Sequence, residues 1–186
     1  MTVTVHKQPL NGRASVTTSA ELLTQIVKSG TNTTFTNRQV IDGDGWDLSN
    51  VAAGHTLKVI DGDDEYRAQI DSVDNGSDTI TIKGWTKGGI SGAKLATMKP
   101  TDGVRVYVLK TDRCKNLIVD ALDANTADAF LGFESTVTVA TGHPIAYGAA
   151  QANHRLTLEA GLAEVIDLGN TWVIAGSAQE LSWIAM

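Results

Sequence analysis

Six residues, Asp42-Gly43-Asp44-Gly45-Trp46-Asp47, put three carboxylates into one turn, the arrangement a hard cation such as calcium asks for. An EF-hand loop needs oxygen ligands at its first, third and fifth places and a glutamate at the twelfth. Here the fifth is Trp46 and the twelfth is Ala53, so these aspartates read as turn residues that tolerate positive φ. Asp61, Asp63 and Asp64 read the same way. The run Lys87-Gly88-Gly89-Ile90-Ser91-Gly92-Ala93-Lys94 has the glycine content of a phosphate loop. It lacks the Gly-Lys-Ser/Thr that would put a lysine on the phosphates and a hydroxyl on the metal, and no helical pattern follows it. It reads as a flexible loop and a contact surface that orders on assembly. His6, His55, His143 and His154 show no paired spacing for zinc, and neither Ser91 nor Ser177 lies in a Gly-x-Ser-x-Gly elbow. The expectation is a chain without catalytic, metal or cofactor sites.

Tryptophan is the remaining candidate, because an exposed one marks a sugar platform or an interface anchor. Trp172 and Trp183 fall in apolar strands and read as core, with Trp183 also a candidate for a subunit contact. Trp46 and Trp85 flank glycines at turns; if exposed they are interface anchors, with core packing as the commoner alternative.

Composition narrows the classes further. Hydrophobic residues make up 42% of the chain and charged ones 19%, a folded rather than a disordered balance. Eighteen glycines, few aromatics and frequent Thr, Val and Asp suit short strands and tight turns. A net charge of −6 with scattered Lys and Arg argues against a nucleic-acid surface. The lone Cys114 excludes an intrachain disulfide and reads as a buried small residue. No signal-peptide pattern or membrane-length apolar run is present, so a soluble protein made in the cytosol is expected.

The elements that would carry these residues are nearly all strands. Residues 1–16, with Val3 and Val5 in alternation, read as an extended N-terminal arm able to pair with a neighbour. Thr18-Ser19-Ala20-Glu21 fits a capping box. Leu22, Leu23, Ile26 and Val27 then share a helical face that Gly30 stops, so one short α-helix is expected. About six strands follow over residues 33–109, with hairpin turns at 61–64 and at Asp74-Asn75-Gly76-Ser77-Asp78, where Asn-Gly accepts positive φ. The five residues Val40-Ile41-Asp42-Gly43-Asp44 recur from Val59 to Asp63, read as a strand ending in an Asp-Gly turn, used twice. The fold expected is mainly β, in two small antiparallel domains. Residues 17–112 form the helix and a small barrel, and 113–186 form a sandwich with strands at 117–119, 134–139 and four more from 155 onward. The stretch 142–144 reads as a loop.

The end of the sequence is the most telling part. Leu156 and Leu158 alternate with polar residues, Val165-Ile166 precede Asp167-Leu168-Gly169-Asn170, and two strands, 171–175 and 180–186, follow. Apolar Trp183-Ile184-Ala185-Met186 must be tied down inside a sheet or a subunit contact. The succession LTLEAG, IDLGN, WVIAGSA, SWIAM resembles the C-terminal region of small tailed-phage virion proteins, capsid decoration (cement) proteins among them, over the last third of the chain.

That resemblance implies a non-enzymatic virion structural protein on the capsid surface. It would be made in the host cytoplasm, form a homo-oligomer, commonly a trimer, and bind the major capsid protein or other virion proteins. Val3 and Val5 of the arm, Trp46, Trp85, and the end residues Trp183, Ile184 and Met186 are the candidate interface residues, with no nucleic acid or membrane as partner. The alternatives are a tail or head–tail connector component, or a carbohydrate-binding adhesive β-module. An enzyme, such as a glycan hydrolase, would need a pair of carboxylates that the sequence does not bring together.

Overall fold

The computed structural model describes residues 10–88, 93–94, 98–122, 124–147, 155–161 and 164–186. In chain order the strands are β1 (Leu10–Val16), β2 (Glu21–Leu22), β3 (Gln25–Lys28), β4 (Thr33–Phe35), β5 (Gln39–Asp42), β6 (Thr56–Asp61), β7 (Asp64–Asp74), β8 (Thr79–Lys87), β9 (Ala93–Lys94) and β10 (Val106–Leu109). They continue as β11 (Arg113–Cys114), β12 (Asn116–Ala121), β13 (Ala129–Gly132), β14 (His143–Ile145), β15 (Arg155–Glu159), β16 (Ile166–Asp167), β17 (Trp172–Ala175) and β18 (Gln179–Ala185). The protein is mainly β, as its composition and alternation predict. Among the described residues no helix is long and apolar enough to cross a membrane. The chain divides into two compact units. Gln25–Asp112 is one; the described residues up to Thr24 together with Arg113–Met186 are the other.

Gln25–Asp112 folds into an eight-stranded antiparallel sheet, curled into a half-barrel, in the order β3-β10-β6-β7-β8-β5-β4 with β9 paired to β8. Period-two alternation sends Leu57, Val59, Tyr66, Ala68, Ile80, Ile82, Val106 and Val108 to the inner face. Trp85 lies among them, edge-on to Phe35 at 5.8 Å and to Tyr66 at 6.4 Å between ring centres. The curl is held at the far edge of β4. There Gly103 N donates to Thr33 O (2.8 Å), Phe35 N donates to Asp102 Oδ1 (2.8 Å), and Thr33 Oγ1 donates to Val104 O. Lys99 and the Phe35 N–H hold the Asp102 carboxyl below its ordinary range.

The other unit is a sandwich. One sheet has the order β1-β18-β12-β15, the second β14-β13-β17-β2, and β11 pairs with β16. Ala14, Val16, Leu117, Val119, Leu181 and Trp183 of the first share one core with Ala129, Leu131, Val173 and Ala175 of the second. The strand ending in Trp183-Ile184-Ala185 is tied into the first sheet between β1 and β12, and Met186 exchanges backbone hydrogen bonds with Asn116 (2.9 and 3.0 Å).

Four expectations are corrected. The helix after Thr18 is absent. Glu21–Leu22 pairs with β17, and Gln25–Lys28 pairs with β10, because two ladders offer more partners than a three-turn helix standing alone. The capping hydroxyl there is Thr17 Oγ1, which accepts from Ser19 N in a local turn (3.2 Å). Second, residues 10–16 are not an arm but strand β1, paired with β18 along its whole length; Val3 and Val5 lie outside the described residues. Third, residues 134–139 form a loop whose threonines serve turns, as when Thr138 N and Ala140 N bond to Thr141 Oγ1 and Thr138 Oγ1. The strands lie on either side: β13, and β14 at the sheet edge, where Pro144 is tolerated. Fourth, the 74–79 hairpin exists, but positive φ falls on Asp78 (48°), not on Asn75 or Gly76. The Asp74 carboxylate accepts from Gly76 N and Ser77 Oγ and so sets the turn.

Candidate interaction surface

The acidic turns are occupied with their own backbone. Asp44 Oδ2 accepts from Thr31 N and Asn32 N (both 3.1 Å), Asp47 Oδ1 from Ser49 N (3.0 Å), and Asp61 Oδ2 from Thr101 N (2.8 Å). Asp64 pairs with Lys87 at 2.6 Å. Asp42 differs: it sits at the inner end of β5, buried, and burial pushes its carboxyl up, with Asp44 and Asp78 adding repulsion. Among the described residues no three His, Cys, Asp or Glu side chains are placed to hold a metal ion. His55 Nδ1 accepts from Ala52 N (3.1 Å), and burial lowers its pKa; His143 stands exposed on β14. His6, His154 and residues 89–92 of the glycine-rich run lie outside the described residues. Ser177 Oγ accepts from Gln179 Nε2 (2.7 Å). Cys114 is buried, and burial pushes its thiol up to about 11.

Trp46 and Trp85, the conditional anchors, are both inside the half-barrel. Trp46 Nε1 donates to Asp78 O (3.2 Å) and Trp85 Nε1 to Thr36 O (3.0 Å), which satisfies the polar edge of each ring in the core. The sugar-platform alternative loses the two residues it required. Trp183 is also core. It sits opposite Gly12 in the register of β1 and β18, and a Cβ at Gly12 would lie 2.7 Å from its ring. The glycine is there to let the indole lie across its strand.

Ile184 and Met186 are at the surface, 37% and 48% exposed. Ile184 points away from the core and faces Ile118 across the β12–β18 ladder, an apolar pair on an otherwise polar sheet face. Polar neighbours are Arg13, 3.7 Å from Glu180, and Arg155, whose Nε and Nη2 bind Asp120 Oδ1 and Oδ2 at 2.7 and 3.2 Å.

A second apolar area is not among the residues that the sequence singled out. The loop after β13 folds back so that Val137 packs over Gly132 and beside Gly142, where a Cβ would come within 2.6 and 3.0 Å of it. That leaves Phe133 (55% exposed), Val139 and Tyr147 outside, with Tyr147 N fixed to Asp128 Oδ1 at 3.1 Å. Their signal in the sequence was an aromatic at each end of a Thr-rich stretch carrying a single charged residue, Glu134.

Two further features carry polar groups. A cavity of about 320 Å³ beside the start of β18 is lined by Ser15, Thr17, Asn125, Gln179 and neighbours. Its amides are committed: Asn125 bonds both the N–H and the C=O of Glu180 (2.9 and 2.7 Å), and Gln179 Oε1 accepts from Thr126 N (2.9 Å). In the half-barrel, Lys58 and Arg67 face one another on β6 and β7, on the side away from the core, yet both are buried. Glu65 reaches both, at 3.5 Å from Lys58 Nζ and 2.5 Å from Arg67 Nε, and Asp112 stands 3.7 Å from Arg67 Nη1. Alternation predicted the outward direction of Lys58 but not its burial.

On the sandwich unit, Phe133, Val139, Tyr147, Ile184 and Met186 stand exposed outside the core. Compared with known protein families, with curated proteins and with solved structures, the chain matches none.

Proposed function

We propose that the chain is a non-enzymatic structural protein of a phage particle, a capsid decoration protein that self-associates and binds the major capsid protein at the head surface. The supporting observation is the outward apolar equipment of the sandwich unit, Phe133, Val139, Tyr147 and Ile184, on a protein whose Trp46 and Trp85 are spent in the half-barrel core. The particle assignment itself leans on the resemblance of residues 155–186 to virion proteins. The action would be cementing: contacts spread over adjacent subunits stabilise a shell by mass action.

The test is light scattering of the purified chain followed by sedimentation with empty shells. A stable oligomer that co-sediments supports decoration; a protein indifferent to shells sinks it and moves a tail or connector role ahead. Deleting residues 1–16 would remove β1 from its sheet and so would not test an arm.

A further inference from the structure

The β1-β18-β12-β15 sheet of the sandwich ends in two strands, β1 and β15, and the two edges are not alike. Strand β15 reads Arg155-Leu156-Thr157-Leu158-Glu159. Arg155, Thr157 and Glu159 face solvent, and the half-buried Leu156 and Leu158 pack against the core. One edge of β15 is taken by β12, in a register running from Asn116↔Glu159 to Asp120↔Arg155. Among the described residues no strand takes the other.

We propose that this open edge of β15 pairs antiparallel with the same edge of a second copy of the chain, about a two-fold axis at Thr157. The order of side chains commits the occupant. Turned about Thr157, Arg155 stands opposite the partner's Glu159 and Glu159 opposite the partner's Arg155, while Leu156 and Leu158 exchange places on the core side. Every position meets its complement, and the open N–H and C=O groups of the edge find partners. Edges guarded against self-pairing carry charges of one sign, which repel a second copy. Opposite signs at mirror-related positions do the reverse. Asp120 already holds Nε and Nη2 of Arg155, which fixes the guanidinium and leaves Nη1 for the partner's carboxylate. The outward residues of β1, Asn11, Arg13 and Ser15, have no such symmetry. For a chain of net charge −6, a charge-balanced strand is a place where two copies can meet without repulsion.

Such a contact is isologous and closes as a pair, unlike the trimer that the resemblance implies. The inference rests on the reading that copies of the chain associate, not on the particle that carries them. Light scattering over a concentration series tests it. The wild type should approach twice the chain mass of 19.7 kDa, and Glu159→Arg, which sets like charges opposite each other twice, should weaken the dimer about tenfold or more. Thr157→Cys should link copies on mild oxidation, whereas Ser15→Cys on the other terminal strand should not; Cys114 is buried and does not compete. A single-chain mass throughout, a three-chain mass, or a dimer untouched by Glu159→Arg with Thr157→Cys left unlinked would overturn it. A dimer of this kind that ignores shells removes the particle reading and leaves the contact standing.

Discussion

The half-barrel and the sandwich each bury two tryptophans, yet the exposed aromatic rings, Phe133 and Tyr147, are both in the sandwich. Phe35, Trp46, Tyr66 and Trp85 are all inside the half-barrel, and Thr34, Thr79 and Thr81 are on its outer face. The sandwich packs Ala14, Ala121, Ala129, Ala175 and Ala185 with Leu117, Leu131, Leu181 and Trp183 in its core, buries Trp172 as well, and carries Phe133 and Tyr147 outside. A ring inside stabilises its own unit by burying area and making edge-to-face contacts. A ring left half outside contributes less to that unit until another surface covers the rest. Under the proposed function, the exposed rings of the sandwich are the ones a partner would cover.

Substitutions can break this contrast, and the largest effect belongs to the half-barrel. Trp85→Ala should cost about 3–5 kcal/mol in urea denaturation, since it opens a cavity among Phe35 and Tyr66. A loss below about 1 kcal/mol would mean the ring is not a keystone. In the sandwich, Gly12→Ala should cost about 1–3 kcal/mol, because the new Cβ meets the Trp183 ring and the indole must leave its place. The paired variant Trp183→Leu should recover part of that loss if the clash is the cause. The smallest effect sharpens the comparison: Phe133→Ser and Tyr147→Ser should shift stability by no more than about 0.5 kcal/mol. A clear destabilisation by either would show a ring that serves its own unit, and the contrast would fail.

Alternation was enough to read the β6–β7 hairpin. Leu57 and Val59 against Lys58, with a two-residue Gly62-Asp63 turn, leave one solution. It was also enough to predict that the strand through Trp183 and Ile184 would be tied down. The same reasoning failed at Leu22, Leu23, Ile26 and Val27, whose spacing fits a helix face equally well. What decided the matter was the availability of β17 and β10, segments distant in sequence. Thr136, Val137 and Thr138 have strand propensity, yet their side chains go to a turn and to a gap over Gly132. At the surface, β15 could be read residue by residue, but not that one of its edges stays open. Nor could spacing show that Trp46 and Trp85 find carbonyl partners inside, or that Glu65 serves two buried cations at once.

Strand β18 lies between β1 and β12, and among the described residues it is the last strand in sequence, while β1 is the first. During synthesis the half-barrel, contiguous from Gln25 to Asp112, can close as soon as its own residues have left the ribosome. The sandwich cannot. Leu10 must wait for Ala185, and until then β1 and β12 each present an unpaired edge in a crowded cell. The nascent chain is therefore a finished half trailing an exposed one, and its vulnerable interval ends only when the strand carrying Trp183 arrives.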